Sequence, residues 1–188
     1  MHQVLTLDHN GQPRHWISCE DAVTYVAKNL VAWSLGKSIA TFHGGFQKDG
    51  HQSIIETPPI IAIRGKPFNY EKSGKVLLTN KTLFARDRHT CAFCGNHFSE
   101  KNLSRDHIHP VSRGGRDVWA NVVTACIPCN FRKGNKYLSQ VGMELLYVPY
   151  EPTHNENLIL LNRNILQDQM DYLLNGVPKH SRVWQGLS

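Results

Sequence analysis

The sequence predicts an α+β fold, on three observations. Apolar residues recur at helical spacing towards both ends of the chain, short β-branched runs lie between them, and two Cys-x-x-Cys pairs bracket a basic central segment. Val4 to Leu7 (VLTL) is a short β-prone run, and Asn10-Gly11 after it is a turn signal. Ser18 followed by Asp21 has the pattern of a helix N-terminal cap. Val23, Val26, Leu30 and Trp33 then mark an amphipathic helix over 19–35, a stripe of the kind that packs on a core. Gly36 and Gly44-Gly45 mark a loop beyond it, and His43 and His51, without ligand spacing, read as loop histidines.

Pro58-Pro59 precedes Ile60-Ile61-Ala62-Ile63, a β-branched run that predicts a strand, and Lys66 to Lys75 reads as a polar surface loop. Tyr147 to Pro152 is a proline-marked extended connector. Leu158, Leu161, Ile165, Tyr172 and Leu173 predict a helix over 156–175, stopped by Gly176-Val177-Pro178. Three regions follow: an N-terminal strand-helix-strand region over 1–80 packed on the core, the core itself over 81–140, and a connector with a C-terminal helix over 141–188. Neither flank has the periodic apolar residues expected of a separate core.

With 40% hydrophobic and 19% charged residues, the 188-residue chain is expected to be ordered and globular. No apolar run approaches the ~20 residues of a membrane helix. The start, MHQVLTLDHNGQ, lacks the basic-then-apolar pattern of a secretory signal. A cytoplasmic protein without a membrane partner is the expectation. The net charge is +6 and the sequence pI is near 9.1. Residues 81–136 hold ten Lys/Arg against four acids, while the rest of the chain balances eleven against eleven. The whole surplus therefore sits in one segment, as expected either of a polyanion-binding face or of a solvated charged surface.

Five cysteines are present, and in a chain of this kind Cys91-x-x-Cys94 and Cys126-x-x-Cys129 read as a zinc site rather than as disulfides. Each short turn can bring two thiolates to one ion, and four protein ligands leave no open position, so the zinc would be structural. The competing readings are four unpaired thiols or a redox pair. Cys19 is left over and reads as a small buried residue in a helix.

Between and beside the pairs lie Ser104-Arg105-Asp106-His107-Ile108-His109-Pro110, Ser112-Arg113-Gly114-Gly115-Arg116, Asn121, and Asn130-Phe131-Arg132-Lys133-Gly134-Asn135-Lys136. Asp106 is a hard oxygen ligand suited to Mg²⁺ or Mn²⁺, and Asn130 offers a neutral oxygen to the same ion. His107, with an ordinary pKa of ~6.5, can take a proton from water near neutrality. Arg105, His109, Arg113, Arg116, Arg132, Lys133 and Lys136 are candidates for holding nucleic-acid phosphates. Strand alternation would send Asp106 and His107 to opposite faces, so they can share a centre only if the strand ends or bulges there.

The run DHIHPVSRGG, then W-x-N-V-V-T-x-C-x-x-C-N-x-x-K-G-N, resembles the zinc-containing branch of the HNH endonucleases, with the ββα-metal (His-Me finger) core. The motif spans Cys91 to Lys136, and VLTLD, PPIIAIRG and LFARDRHTC extend the likeness more loosely to small bacterial and phage members. The resemblance implies that Asp106 is the metal-binding acid and His107 the general base. It implies that Asn121 orders the loop without touching metal, and that Asn130 ligates the catalytic cation at a position often held by histidine. Lys133, a helical turn after Asn130, would face phosphate. The implied activity is hydrolysis of DNA to 5′-phosphate and 3′-hydroxyl ends with a catalytic Mg²⁺, Mn²⁺ or other divalent ion, beside the structural zinc. The alternative is a zinc-ribbon DNA-binding module without catalysis, and RNA is not excluded as a substrate. Cutting both strands would need sequential nicks or a homodimer, which the C-terminal helix could support.

Overall fold

The computed structural model describes residues 2–67, 69 and 74–186. The fold mixes helices with small sheets, as the sequence predicts, and forms two compact units. One comprises Met1–Lys75 with His154–Val177, and the other Val76–Thr153 with Pro178–Ser188.

The first unit is built on a four-stranded sheet in the order β2-β1-β6-β3, comprising β1 (Val4–Leu7), β2 (Pro13–Ile17), β3 (Val31–Leu35) and β6 (Ile60–Ile63). The central strands β1 and β6 are parallel, and every residue of both is buried. Their unbroken apolar character follows, since a central strand covered on both faces does not alternate. β2 and β3 add antiparallel edges. Helix α1 (Cys19–Ala27) starts where the Ser18 side chain accepts from the Asp21 N–H. It packs Cys19 and Ala22 with Val4, Ile17, Ile61 and Ile63. Cys19 is thus a buried helical residue, as expected.

The helix expected over 19–35 is shorter than its apolar spacing suggests. Asn29 takes a left-handed φ of 54° beyond the C-terminus, and Val31–Leu35 becomes the edge strand β3. Leu30 and Trp33, read as part of a helical stripe, are both exposed. The loop expected beyond the helix at Gly36 and Gly44-Gly45 gives way to an antiparallel pair, β4 (Ala40–Phe46) and β5 (Gln52–Thr57). Gly44-Gly45 sits inside β4, where the register breaks between His43 and Phe46, so these glycines mark an irregularity within a strand. His43 is accordingly a strand residue. Part of the expected Lys66–Lys75 loop lies outside the described residues.

The single helix expected over 156–175 is two, α5 (His154–Leu161) and α6 (Gln167–Leu174). Between them the Asn162 side chain accepts from the Asn164 N–H, a local turn that competes with helix continuation. Gln169, fully buried on α6, donates to the carbonyls of Gln3 and Pro59 and so ties α6 to the sheet.

The second unit contains α2 (Asn80–Arg86), the antiparallel pair β7 (Leu103–His107) and β8 (Val122–Cys126), α3 (Ile127–Lys133) and α4 (Leu138–Val141). α2 is closed by reciprocal bonds between Thr79 and Thr82. Val76, Leu83, Phe84, Leu103, Trp119 and Val122 form its core. Arg86 is wholly buried, pairing with Asp87 at 2.8 Å and donating to the carbonyls of Trp119, Tyr150 and Val122. Asp87 in turn accepts from the Thr124 N–H. A cation counted at the sequence level as surface charge is therefore an interior strut, with its donors satisfied as burial demands.

Candidate metal centres and active site

β7 and β8 run in unbroken register from Leu103↔Cys126 to His107↔Val122. The two ends of this one ladder carry different chemistry. At the first end, Cys126 closes β8 and caps α3, placing Cys129 in the first turn of the helix. Cys91 and Cys94 lie on a loop anchored by Ala92, whose N–H donates to Thr124 O and whose carbonyl accepts from Leu146 N–H. The four sulfurs all lie within 4.8 Å of one another. A Cys₄ zinc site with Zn–S of ~2.3 Å has sulfurs about 3.8 Å apart, so the cluster fits zinc.

The electrostatics agree. Burial and the neighbouring thiols push Cys94 and Cys129 up. Cys91 is drawn down, against its burial, by N–H groups of Cys126, Cys94 and Phe93. Four crowded sulfurs cannot all ionise without a cation to neutralise them.

At the other end, β7 stops at His107 without a bulge, and Asp106 and His107 line one shallow pocket of about 220 Å³ with Arg105, Val111, Asn130 and Lys133. Termination of the strand, one of the two conditions set by alternation, brings the pair together. Asp106 is buried, and its Oδ1 accepts from Lys133 Nζ at 3.0 Å. Its Oδ2 is buried with no hydrogen-bond partner. Burial pushes the Asp106 carboxyl up, opposed by Lys133. The Asn130 amide nitrogen donates to Ser104 Oγ at 2.8 Å and to Arg105 O at 3.4 Å, leaving the carbonyl as its other polar atom. An unpartnered carboxylate oxygen in a pocket shared with an amide fits a small hard cation.

Lys133 differs from the sequence-based expectation. Its side chain is 1% exposed and also donates to His107 O at 2.6 Å, so its ammonium faces the interior rather than a solvent-borne phosphate. α3 places residues 130 and 133 on one face, and that face is turned towards β7.

His107 Nε2 lies 2.9 Å from Asp117 Oδ1. An ionised carboxylate only accepts, so Nε2 carries the proton and Nδ1 is left as the basic nitrogen. Asp117 also receives Arg105 NH1, at 2.6 and 2.9 Å, and Arg105 is held further by Asn80 Oδ1. Slight burial would raise Asp117, but Arg105 and His107 hold it below the usual carboxylate range. Sequence reading counted Asp117 only as one acid among four. Its single clue was its place beside Arg116 in the loop that follows Gly114-Gly115.

Asn121 lies on that loop. Its Oδ1 accepts from His109 N–H, and its Nδ2 donates to the carbonyls of His109 and Arg116, so one amide fastens both sides of the loop. Gly115 packs against the His109 carbonyl where a Cβ would overlap it, so no larger residue fits. His109 is not part of the pocket lining: its Nε2 meets Arg113 O and the Tyr137 hydroxyl, and Arg113 stacks over Tyr137 at 4.9 Å. Arg113, Arg116, Arg132 and Lys136 are exposed and do not line this pocket, and Arg132 lies instead with Phe93, Cys94 and Cys129 at the thiol cluster. No helix among the described residues is long and apolar enough to cross a membrane.

No curated protein matches the chain. Residues 91–146, which span the thiol cluster, the pocket and the strap that returns Leu146 to Ala92, match the family model for HNH endonuclease.

Proposed function

We propose that the chain is a metal-dependent HNH endonuclease acting on DNA, with β7, β8 and α3 as its ββα-metal core. The observation that carries the reading is the buried, unpartnered Oδ2 of Asp106 beside Asn130 and the Asp117-oriented His107, in one pocket of a family-matched segment. Asp106 Oδ2 and the Asn130 carbonyl would hold Mg²⁺ or Mn²⁺. When bound, the ion supplies charge neutralisation at the phosphate and the leaving oxygen. Lys133 fixes the other carboxylate oxygen, so Asp106 has one oxygen to offer.

His107 Nδ1 takes a proton from water as the water oxygen bonds to phosphorus and the bond to O3′ breaks, the departing O3′ taking its proton from solvent. The ends produced are 5′-phosphate and 3′-hydroxyl. Asp117 holds the imidazole in its tautomer and stabilises the imidazolium formed. The four cysteines hold structural zinc and take no part in the chemistry. Arg116, Arg132 and Lys136, all exposed, would contact backbone phosphates.

The test is plasmid nicking with Mg²⁺ or Mn²⁺, with and without chelator, for the parent chain and His107→Ala. Metal-dependent nicking by the parent and none by the variant is the expected result. DNA binding without nicking under any metal would return the zinc-ribbon binding module in its place.

A further inference from the structure

The helix that brings Asn130 and Lys133 to the proposed active site also carries exposed apolar residues that its chemistry does not use. Phe131 is 89% exposed, the most exposed of the large apolar side chains among the described residues. It follows Asn130 directly on α3 and shares a helix face with Ile127, itself 52% exposed, one turn earlier. The pocket's lining adds Val111, 57% exposed. A short helix with a free interior face to cover would turn Phe131 inwards. Here the inward face is taken by Asn130 and Lys133, and the phenyl ring stands in water beside them.

Exposed Arg132 follows Phe131 in the chain and exposed Lys136 comes five residues after it, and the segment around them carries the chain's whole positive surplus. The charge identifies a polyanion as the occupant, and an aromatic ring among cations suits a polyanion that has flat apolar faces. Resting on the nuclease reading, we infer that Phe131 is a stacking platform for a nucleobase next to the scissile phosphate. In a paired duplex each base is already stacked on both sides, so a ring can enter only by unstacking a step. That cost is least for single-stranded or mismatched DNA. The substrate class is therefore DNA with an unpaired base at the cut, in preference to fully paired duplex.

The experiment compares binding of a single-stranded oligonucleotide, the same strand with a central mismatch, and the fully paired duplex. All proteins carry His107→Ala to prevent cleavage, and variants F131A, F131L and F131W are added on that background. Stacking on one base gives a loss on the order of tenfold or more for F131A on single-stranded and mismatched DNA. Loss on the paired duplex is expected to be several times smaller, and F131W, but not F131L, should restore affinity. A 2-aminopurine placed beside the cleaved bond should be quenched by the protein that keeps Phe131 and by F131W, and not by F131A.

An equal loss on all three DNAs, no loss on any, or full rescue by leucine would each overturn the stacking role. So would a Phe131-dependent dimer in light scattering that accounts for the affinity change. If the parent nicks plasmid while F131A behaves as the parent on all three DNAs, the platform fails and the nuclease reading stands. If no form binds DNA, both fall together.

Discussion

The two ends of the β7–β8 ladder differ in what they would offer a metal ion. At the Cys126 end, four sulfurs converge and an ion would have no free position. At the His107 end, one carboxylate oxygen is left without a partner while the other is held by a lysine, and the pocket opens to solvent. The same strand pair thus supports one closed arrangement and one open one. Closure suits a staple, and incompleteness suits a centre that must admit phosphate and water.

The comparison breaks most visibly at the closed end. Cys126→Ser should abolish zinc binding and cooperative unfolding of the 76–153 unit, since zinc contributes about 10–16 kcal/mol in small Cys/His modules. Metal analysis and a thermal melt followed by near-ultraviolet circular dichroism read the two losses together. At the open end, Lys133→Met leaves the buried Asp106 carboxylate without its cation, and should cost about 3–5 kcal/mol in denaturant unfolding. A cost below about 1 kcal/mol would mean that Asp106 is not ionised in the interior.

His107→Ala should reduce cleavage by about 10²–10⁴-fold with zinc content unchanged, since His107 lies at the end of the ladder away from the cysteines. The smallest effect belongs to Asp117→Asn, about tenfold in cleavage, with little change in stability because the carboxylate is half exposed. The sign of its pH dependence follows from its lowered pKa. Its ion pairs are fully present above the ordinary Asp value of ~3.9 and are lost only as pH falls through the lower folded value. Cleavage by the parent should therefore show no Asp117-dependent inflection above pH ~4.

What could be read from the chain was local. The four cysteines announce themselves because each pair needs only a three-residue turn, and the cluster forms as their spacing implies. Ile60–Ile63 and Val4–Leu7 are strands because continuous β-branched and apolar runs have few other uses. The stretch from Leu30 to Trp33 misled because its spacing also fits one face of a helix, and pairing with β6, more than 25 residues away, decides against it. The β4–β5 pair was hidden by Gly44-Gly45, which weakens a strand's pattern without preventing it. Asp117 and Lys133 could be named but not placed. Whether a charged side chain faces water or a buried partner depends on how the loop and helix fold back onto β7.

The central claim is that the chain keeps two metal centres with separate duties. Asp106→Asn keeps the size of the side chain and removes both the charge that would be offered to a catalytic cation and the partner of Lys133, so zinc content, a thermal melt and plasmid nicking measured on the same sample test it most directly. The account predicts one zinc per chain and loss of Mg²⁺- or Mn²⁺-dependent nicking. Nicking at the parental rate with zinc retained, or loss of zinc, would contradict it.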